Sequence, residues 1–141
     1  MPVVPDPDTD TLSTEEVAAY AGCSLRQCDY WVRLGVLIPT VPARGSGTQR
    51  RYDRTEARIT WVITAANSGR QRRGNVAPLA EVAAWLRANG AWSGWLVIGE
   101  HGAGIASHAA DLLDELARLG PVVTLVDLDA CPSFAADEDA A

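Results

Sequence analysis

The 141 residues carry 12 basic side chains against 18 acidic ones, a formal net charge of −6, with 48% apolar and 21% charged residues. Those proportions suit one ordinary globular domain or two small ones and exclude a disordered chain. No apolar run approaches the roughly 18–20 residues of a membrane span, and the opening MPVVPDPDTD is acidic and proline-rich, the wrong character for a secretory signal. A cytoplasmic protein with no membrane contact is expected.

The charge is unevenly spread. Residues 1–10 carry −3, residues 11–75 hold ten Arg against five acids, and residues 76–141 hold two Arg against ten acids. The total therefore hides a basic segment between acidic ones. Every basic residue is Arg, whose planar fork donates two parallel hydrogen bonds and suits phosphate oxygens and base edges.

In chain order, residues 1–11 read as a disordered arm with three Pro and three Asp. Ser13-Thr14-Glu15-Glu16 is a capping box flanked by Leu12 and Val17 at staple positions, and it predicts a helix over about 14–21. Gly22 breaks that helix. Ser24-Leu25-Arg26-Gln27 opens a second helix to about Leu34, with Cys23 and Cys28 at the staple positions and Gly35 as its stop. Val36-Leu37-Ile38-Pro39 reads as a short strand. The polar TVPARGSGTQ loop and Arg50-Arg51-Tyr52 follow. Asp53 and Glu56 then form a third box before a helix of about 54–67, and the basic, Gly-containing run from Asn67 to Gly74 marks a boundary.

Beyond it, Pro78 to Asn89 has helical apolar spacing, and Trp95 to Ile98 is a short buried strand ending at Gly99. Ile105 to Leu119 is an amphipathic helix, and Val122 to Val126 a further strand. The last three elements predict one β-α-β unit with parallel strands and a right-handed crossover. Residues 130–141 read as an acidic, unstructured tail. Trp85, Trp92 and Trp95 are expected in a core or interface.

Two short capped helices around a tight turn, then a strand and a basic loop, describe a winged helix-turn-helix. Counted from the Ser24 cap, Arg26, Gln27, Tyr30 and Arg33 lie on the outer side of the second helix, while Cys28, Trp31 and Val32 pack inward. Arg can pair with guanine and Gln with adenine, Tyr30 can donate to a phosphate, and Arg44 and Arg50 of the wing can reach phosphate or the minor groove. Solvated charges on an ordinary helix pair are the plainer alternative.

These residues resemble the DNA-binding head of MerR-type regulators. The matching strings are LSTEEVAAYAGCSLRQCDYWVRLGVLIP and GTQRRYDRTEARI, which together run from Leu12 to Ile59. The distinctive parts are Ser24-x-Arg26, Tyr30-Trp31, Arg33-Leu34-Gly35-Val36-Leu37 with Pro39, and Arg50-Arg51-Tyr52. The resemblance implies duplex DNA as partner, addressed by Arg26, Gln27 and Tyr30 from the recognition helix and by Arg50 from the wing. Ser24, Arg33, Arg44, Thr48 and Arg51 complete the candidate DNA-binding set, and Arg51 and Tyr52 can equally be internal supports of the wing. Asp29 departs from the family, many members of which carry Arg there, and pairing with Arg33 four residues on would offset it. The family's long dimerisation helix has no counterpart in the C-terminal half.

In that half, Gly99, Gly102, Gly104 and Asp127 occur in the order of a dinucleotide site, strand, Gly-rich turn, helix, strand and acid. The match fails in detail: His101 stands where one count needs Gly, and Ser107 where the other does. His101 and His108 have no nucleophile or orienting acid beside them, so no enzyme activity is expected. No cofactor or metal site is indicated either, since three cysteines without C-x-x-C spacing form neither a disulfide framework nor a zinc site.

The expected fold class is α/β overall. It begins with a disordered arm (1–11) and a mainly α winged helix-turn-helix (12–68). A basic linker (69–77), a small βαβ-containing module for dimerisation or sensing (78–129) and an acidic tail (130–141) follow. The expected function is sequence-specific double-stranded DNA binding by a nucleoid-associated transcriptional regulator, acting as a homodimer or cooperative array. The alternatives are an excisionase-like factor that bends DNA for a recombinase, or a protein-interaction module with a degenerate head.

Overall fold

A computed structural model describes residues 11–40, 50–68, 77–89, 92–99, 102–120 and 123–134. The chain divides into two compact units, residues 1–61 with 132–141, and residues 62–131. Among the described residues are five α-helices and two small antiparallel sheets, a mixed α/β chain in which no helix is long and apolar enough to cross a membrane.

The first unit begins one residue earlier than the sequence reading placed it. Thr11–Ser13 form β1, antiparallel to β2 (Arg51–Asp53), with Leu12 opposite Tyr52 and both side chains fully buried. The capping box at Ser13 is complete: its Oγ accepts from the Glu16 amide at 3.2 Å, and Glu16 Oε1 accepts from the Ser13 amide at 3.0 Å. Two otherwise orphaned amides are thereby satisfied, and α1 (Thr14–Ala21) follows. It ends at Gly22, whose φ of 78° lies in the left-handed region that glycine tolerates without a side-chain clash. Three residues later α2 (Leu25–Arg33) starts behind Ser24, whose Oγ accepts from the Gln27 amide at 3.1 Å.

The strand expected at Val36–Pro39 is not formed, because its amides are bonded elsewhere. Val36 and Leu37 donate to the Trp31 carbonyl at 2.9 and 3.2 Å, and Ile38 donates to Glu56 Oε1 at 2.8 Å. These bonds fold the segment back beneath α2, where Val36 and Leu37 are buried with Trp31. Glu56, read as the third residue of a capping box, does receive that bond through its backbone, since Asp53 Oδ1 accepts from its amide at 2.8 Å. Its carboxylate serves Ile38, and the Asp53 amide donates to Thr40 Oγ1 at 3.1 Å. From this start runs α3 (Arg54–Ser68), with Ala57 and Ile59 fully buried.

The second unit corrects the parallel β-α-β reading. After α4 (Ala77–Ala88) come β3 (Trp95–Gly99) and β4 (Gly102–Ala106), a hairpin. Then follow α5 (Ala109–Leu119) and β5 (Val123–Asp127), and the sheet order is β4-β3-β5 with β3 antiparallel to both neighbours. Ile105 therefore belongs to a strand and not to the helix, which starts four residues later. β4 and β5 do run in the same direction across α5, but β3 lies between them. The Gly99–Gly102 pairing shows why: the chain reverses at once, and the stretch GAGIA fills the neighbouring strand position before the helix begins.

Helix α5 packs on the sheet through Leu119, with Val97 and Ala106 in the same fully buried cluster and Leu112 and Leu116 half-buried against it. Gly99 permits that approach. A Cβ there would overlap the Leu119 carbonyl oxygen and lie 2.8 Å from the Leu119 Cβ. Trp92 is half-buried. Its indole N–H donates to the Leu86 carbonyl at 3.0 Å, which also accepts from the Asn89 amide at 3.3 Å at the end of α4.

Replacing Glu56 with Ala removes the acceptor of the Ile38 amide and is expected to cost about 1–3 kcal/mol. Glu56→Gln, which keeps a side-chain oxygen, should retain most of that stability. Urea titration of both variants, with exchange of the Ile38 amide as the local probe, checks this. Equal stability for Ala and Gln would contradict it. In the second unit, Gly99→Ala should lower stability by about 1–3 kcal/mol through overpacking against backbone that cannot yield, read as a lower thermal midpoint.

Candidate nucleic-acid interface

Helix α2 has two chemically distinct sides. Cys28 and Trp31 are buried at 0% and 2% exposure and Val32 is half-buried. On the other side, Arg26, Tyr30 and Arg33 are exposed and Gln27 is half-exposed. Tyr30 keeps 47% of its surface in solvent, a large aromatic side chain held outside the core. The four residues recur at the spacing of one helical face, so the outward stripe read from the sequence is present. Ser24 sits at its start, where its hydroxyl oxygen accepts the Gln27 amide and its proton is left to donate outward.

Asp29 pairs with Arg50, not with Arg33. Its Oδ1 lies 2.7 Å from Arg50 Nη1, with the two side chains 48% and 30% exposed. A half-exposed pair of this kind contributes at most about 1 kcal/mol. Its larger effect is geometric and electrostatic: it ties the chain just before β2 to α2 and sets a carboxylate beside a guanidinium assigned to phosphate. Arg51 is also engaged internally. Its Nε donates to Thr11 Oγ1 at 3.1 Å and its Nη2 to the Thr11 carbonyl at 2.8 Å, which straps β2 to β1. Of the two roles open to Arg51 and Tyr52, both residues occupy the supporting one, Tyr52 being fully buried with its hydroxyl unpartnered. Arg44 and Thr48 lie outside the described residues.

One contact was missed entirely. Phe134, in the tail read as unstructured, is 3% exposed and stacks on Tyr20 of α1, ring centroids 4.6 Å apart and planes 7° from parallel. The guanidinium carbons of Arg54 and Arg58 each stand 5.5 Å from its centroid, a cation–π arrangement on one ring. The Tyr20 hydroxyl donates to the Pro132 carbonyl. Two further arginines of the basic segment are thus occupied by an aromatic ring. The signal was there in composition: Phe134 is the single Phe of the chain, and it stands in an acidic, Ala-rich tail with no other large aromatic.

In the second unit the weak nucleotide candidates fall apart geometrically. Gly99 ends β3 and Gly102 and Gly104 lie within β4, so these glycines line a hairpin and not the N-terminus of a helix. Their amides therefore cannot cradle a pyrophosphate at a helix dipole. Asp127 Oδ1 accepts the Asp129 amide at 3.0 Å and starts the short 3-10 turn Leu128–Ala130. A cleft of about 250 Å³ opens between α4 and the hairpin, its walls including Val82, Trp85, Leu96 and Ile105 with Glu81 beside them. That lining lacks a phosphate cradle. His108 is the exposed N-cap of α5 without a side-chain cap bond, and His101 lies outside the described residues.

Compared with known proteins, the chain matches no family model and no curated protein.

Phe134→Ala should destabilise the first unit by about 2–4 kcal/mol, since it removes a buried ring together with its stacking and cation–π contacts. Phe134→Leu should recover part of that loss. Urea denaturation of the three chains provides the comparison, and an unchanged midpoint for the Ala variant would show that the ring contributes nothing to the fold.

Proposed function

We propose that the first unit is a MerR-like winged helix-turn-helix head that binds duplex DNA sequence-specifically, and that the protein is a transcriptional regulator. The observation that carries this reading is the outward stripe Arg26, Gln27, Tyr30 and Arg33 on a helix whose opposite side is anchored by buried Cys28 and Trp31. A rigidly seated helix with a guanidinium and an amide in its first turn has the donors and acceptors that base edges in a major groove require. Tyr30 and the Ser24 hydroxyl suit phosphate oxygens.

The other arginines divide into different roles in this reading. Arg51 supports the two-stranded ribbon, and Arg54 and Arg58 hold Phe134. Arg50 contacts phosphate while Asp29 tempers its charge, which lowers affinity for any duplex without touching base preference. One small head makes few base contacts, so useful specificity calls for a second copy. The second unit is the candidate for that assembly: Leu113, Trp95 and Leu125 are 69%, 41% and 43% exposed there.

A pull-down of genomic fragments supplies the operator, and anisotropy titrations on that site and on a random duplex at two salt concentrations test the roles. Arg26→Ala and Gln27→Ala should each cost about 1–3 kcal/mol on the operator and little on random DNA. Arg50→Ala should weaken both duplexes alike, and Asp29→Asn should strengthen both. Salt-independent retention, or fragments sharing no motif, would overturn the reading. Sedimentation of the intact chain, with and without operator, reports the assembly.

A further inference from the structure

Cys23 stands in the turn between α1 and α2 and is partly exposed, whereas Cys28 is fully buried on the inward side of α2. Their Sγ atoms are 3.4 Å apart. Packing alone explains an apolar contact at these staple positions, but it does not call for two sulfurs, because aliphatic side chains fill such a site equally well. What two sulfurs add is redox chemistry. A disulfide places sulfurs about 2.05 Å apart, so this pair has about 1.4 Å left to close. Side-chain rotation at the partly exposed end can supply that movement.

We propose that Cys23 and Cys28 form an oxidisable dithiol, which a hydroperoxide converts into an intrachain disulfide. Cys23 is the sulfur an oxidant meets first. Having given its proton to solvent, the thiolate attacks a peroxide oxygen; the S–O bond forms, the O–O bond breaks, and the departing oxygen takes up a proton from solvent and leaves as water or alcohol. The resulting sulfenic acid is then attacked by the Cys28 sulfur. The S–S bond forms, the S–O bond breaks, and the hydroxyl leaves as water with the proton from Cys28. Overall two thiols are oxidised and one peroxide is reduced. The hydrogen bond with Cys23, and after it burial, push the Cys28 thiol far above the ordinary range, which keeps its proton in place until this second step. The roles of attacking and resolving thiol are therefore set by position. The bond would join the residue before the Ser24 cap to the next turn of α2 and fix the start of that helix covalently.

The sequence provides its own assay. Arg26 lies between the two cysteines, and trypsin cutting there separates Cys23, in residues 1–26, from Cys28, in residues 27–33. The intact reduced chain is treated with hydrogen peroxide, the remaining thiols are alkylated, and the digest is weighed. The expected result is loss of two of the three thiols, peptides 1–26 and 27–33 joined and lighter by two hydrogens, and Cys131 alkylated. Dithiothreitol should restore all three. Cys28→Ser should leave Cys23 carrying oxygen and no joined peptides. Cys23→Ser, a change at a partly exposed turn position, should leave Cys28 alkylatable once the chain is unfolded. Loss of Cys23 and Cys131 at equal rates with oxygen adducts and no joined peptides, or links that form between chains, would overturn the proposal.

Discussion

The first unit is organised around a buried carboxylate. Glu56 is 3% exposed, and its oxygen accepts the amide of Ile38, a residue 18 positions earlier. A buried carboxylate is costly unless hydrogen-bonded, and the Ile38 amide, though its residue is 49% exposed, supplies such a bond. The bond holds the segment after α2 against the start of α3, and so determines where Val36 and Leu37 enter the core under Trp31. With that segment in place, α2 presents its polar stripe outward from a rigid base. The ribbon of β1 and β2, strapped by Arg51 to Thr11, closes the same core through Leu12 and Tyr52.

The basic surplus of residues 11–75 is therefore not a uniform surface field. Arg50 faces a carboxylate, Arg51 is committed to Thr11, and Arg54 and Arg58 lie over one aromatic ring. Arg26 and Arg33 remain exposed on α2. In the proposed function, each described arginine that is paired or turned inward withdraws a phosphate contact from non-specific binding, because non-specific affinity follows the number of phosphates neutralised.

Phe134 adds a constraint of a different kind. It holds residue 134 against α1 of the same unit, by stacking on Tyr20. The acids of the tail, Asp137, Glu138 and Asp139, follow within five residues. The second unit rests on a close approach: α5 lies against β3 where Gly99 has no side chain, and Leu119 fills the space.

Local signals were legible wherever the physics is local. Ser13 with Glu16, the Gly22 stop, the Ser24 cap, and helical spacing in α3 and α4 each involve groups within about one turn, and the sequence alone located those elements to within a residue or two. The outward set Arg26, Gln27, Tyr30 and Arg33 followed from the same periodicity. What the sequence could not decide were pairings between distant groups that many partners could satisfy. Ile38 could have joined a ladder but found Glu56; Asp29 could have met Arg33 but met Arg50. The run GAGIA carries too few side chains to show a two-residue period, so a hairpin strand read as a phosphate turn. Only the tertiary structure chose among these, because each choice depends on which backbone happens to lie opposite, and that is a property of the whole core.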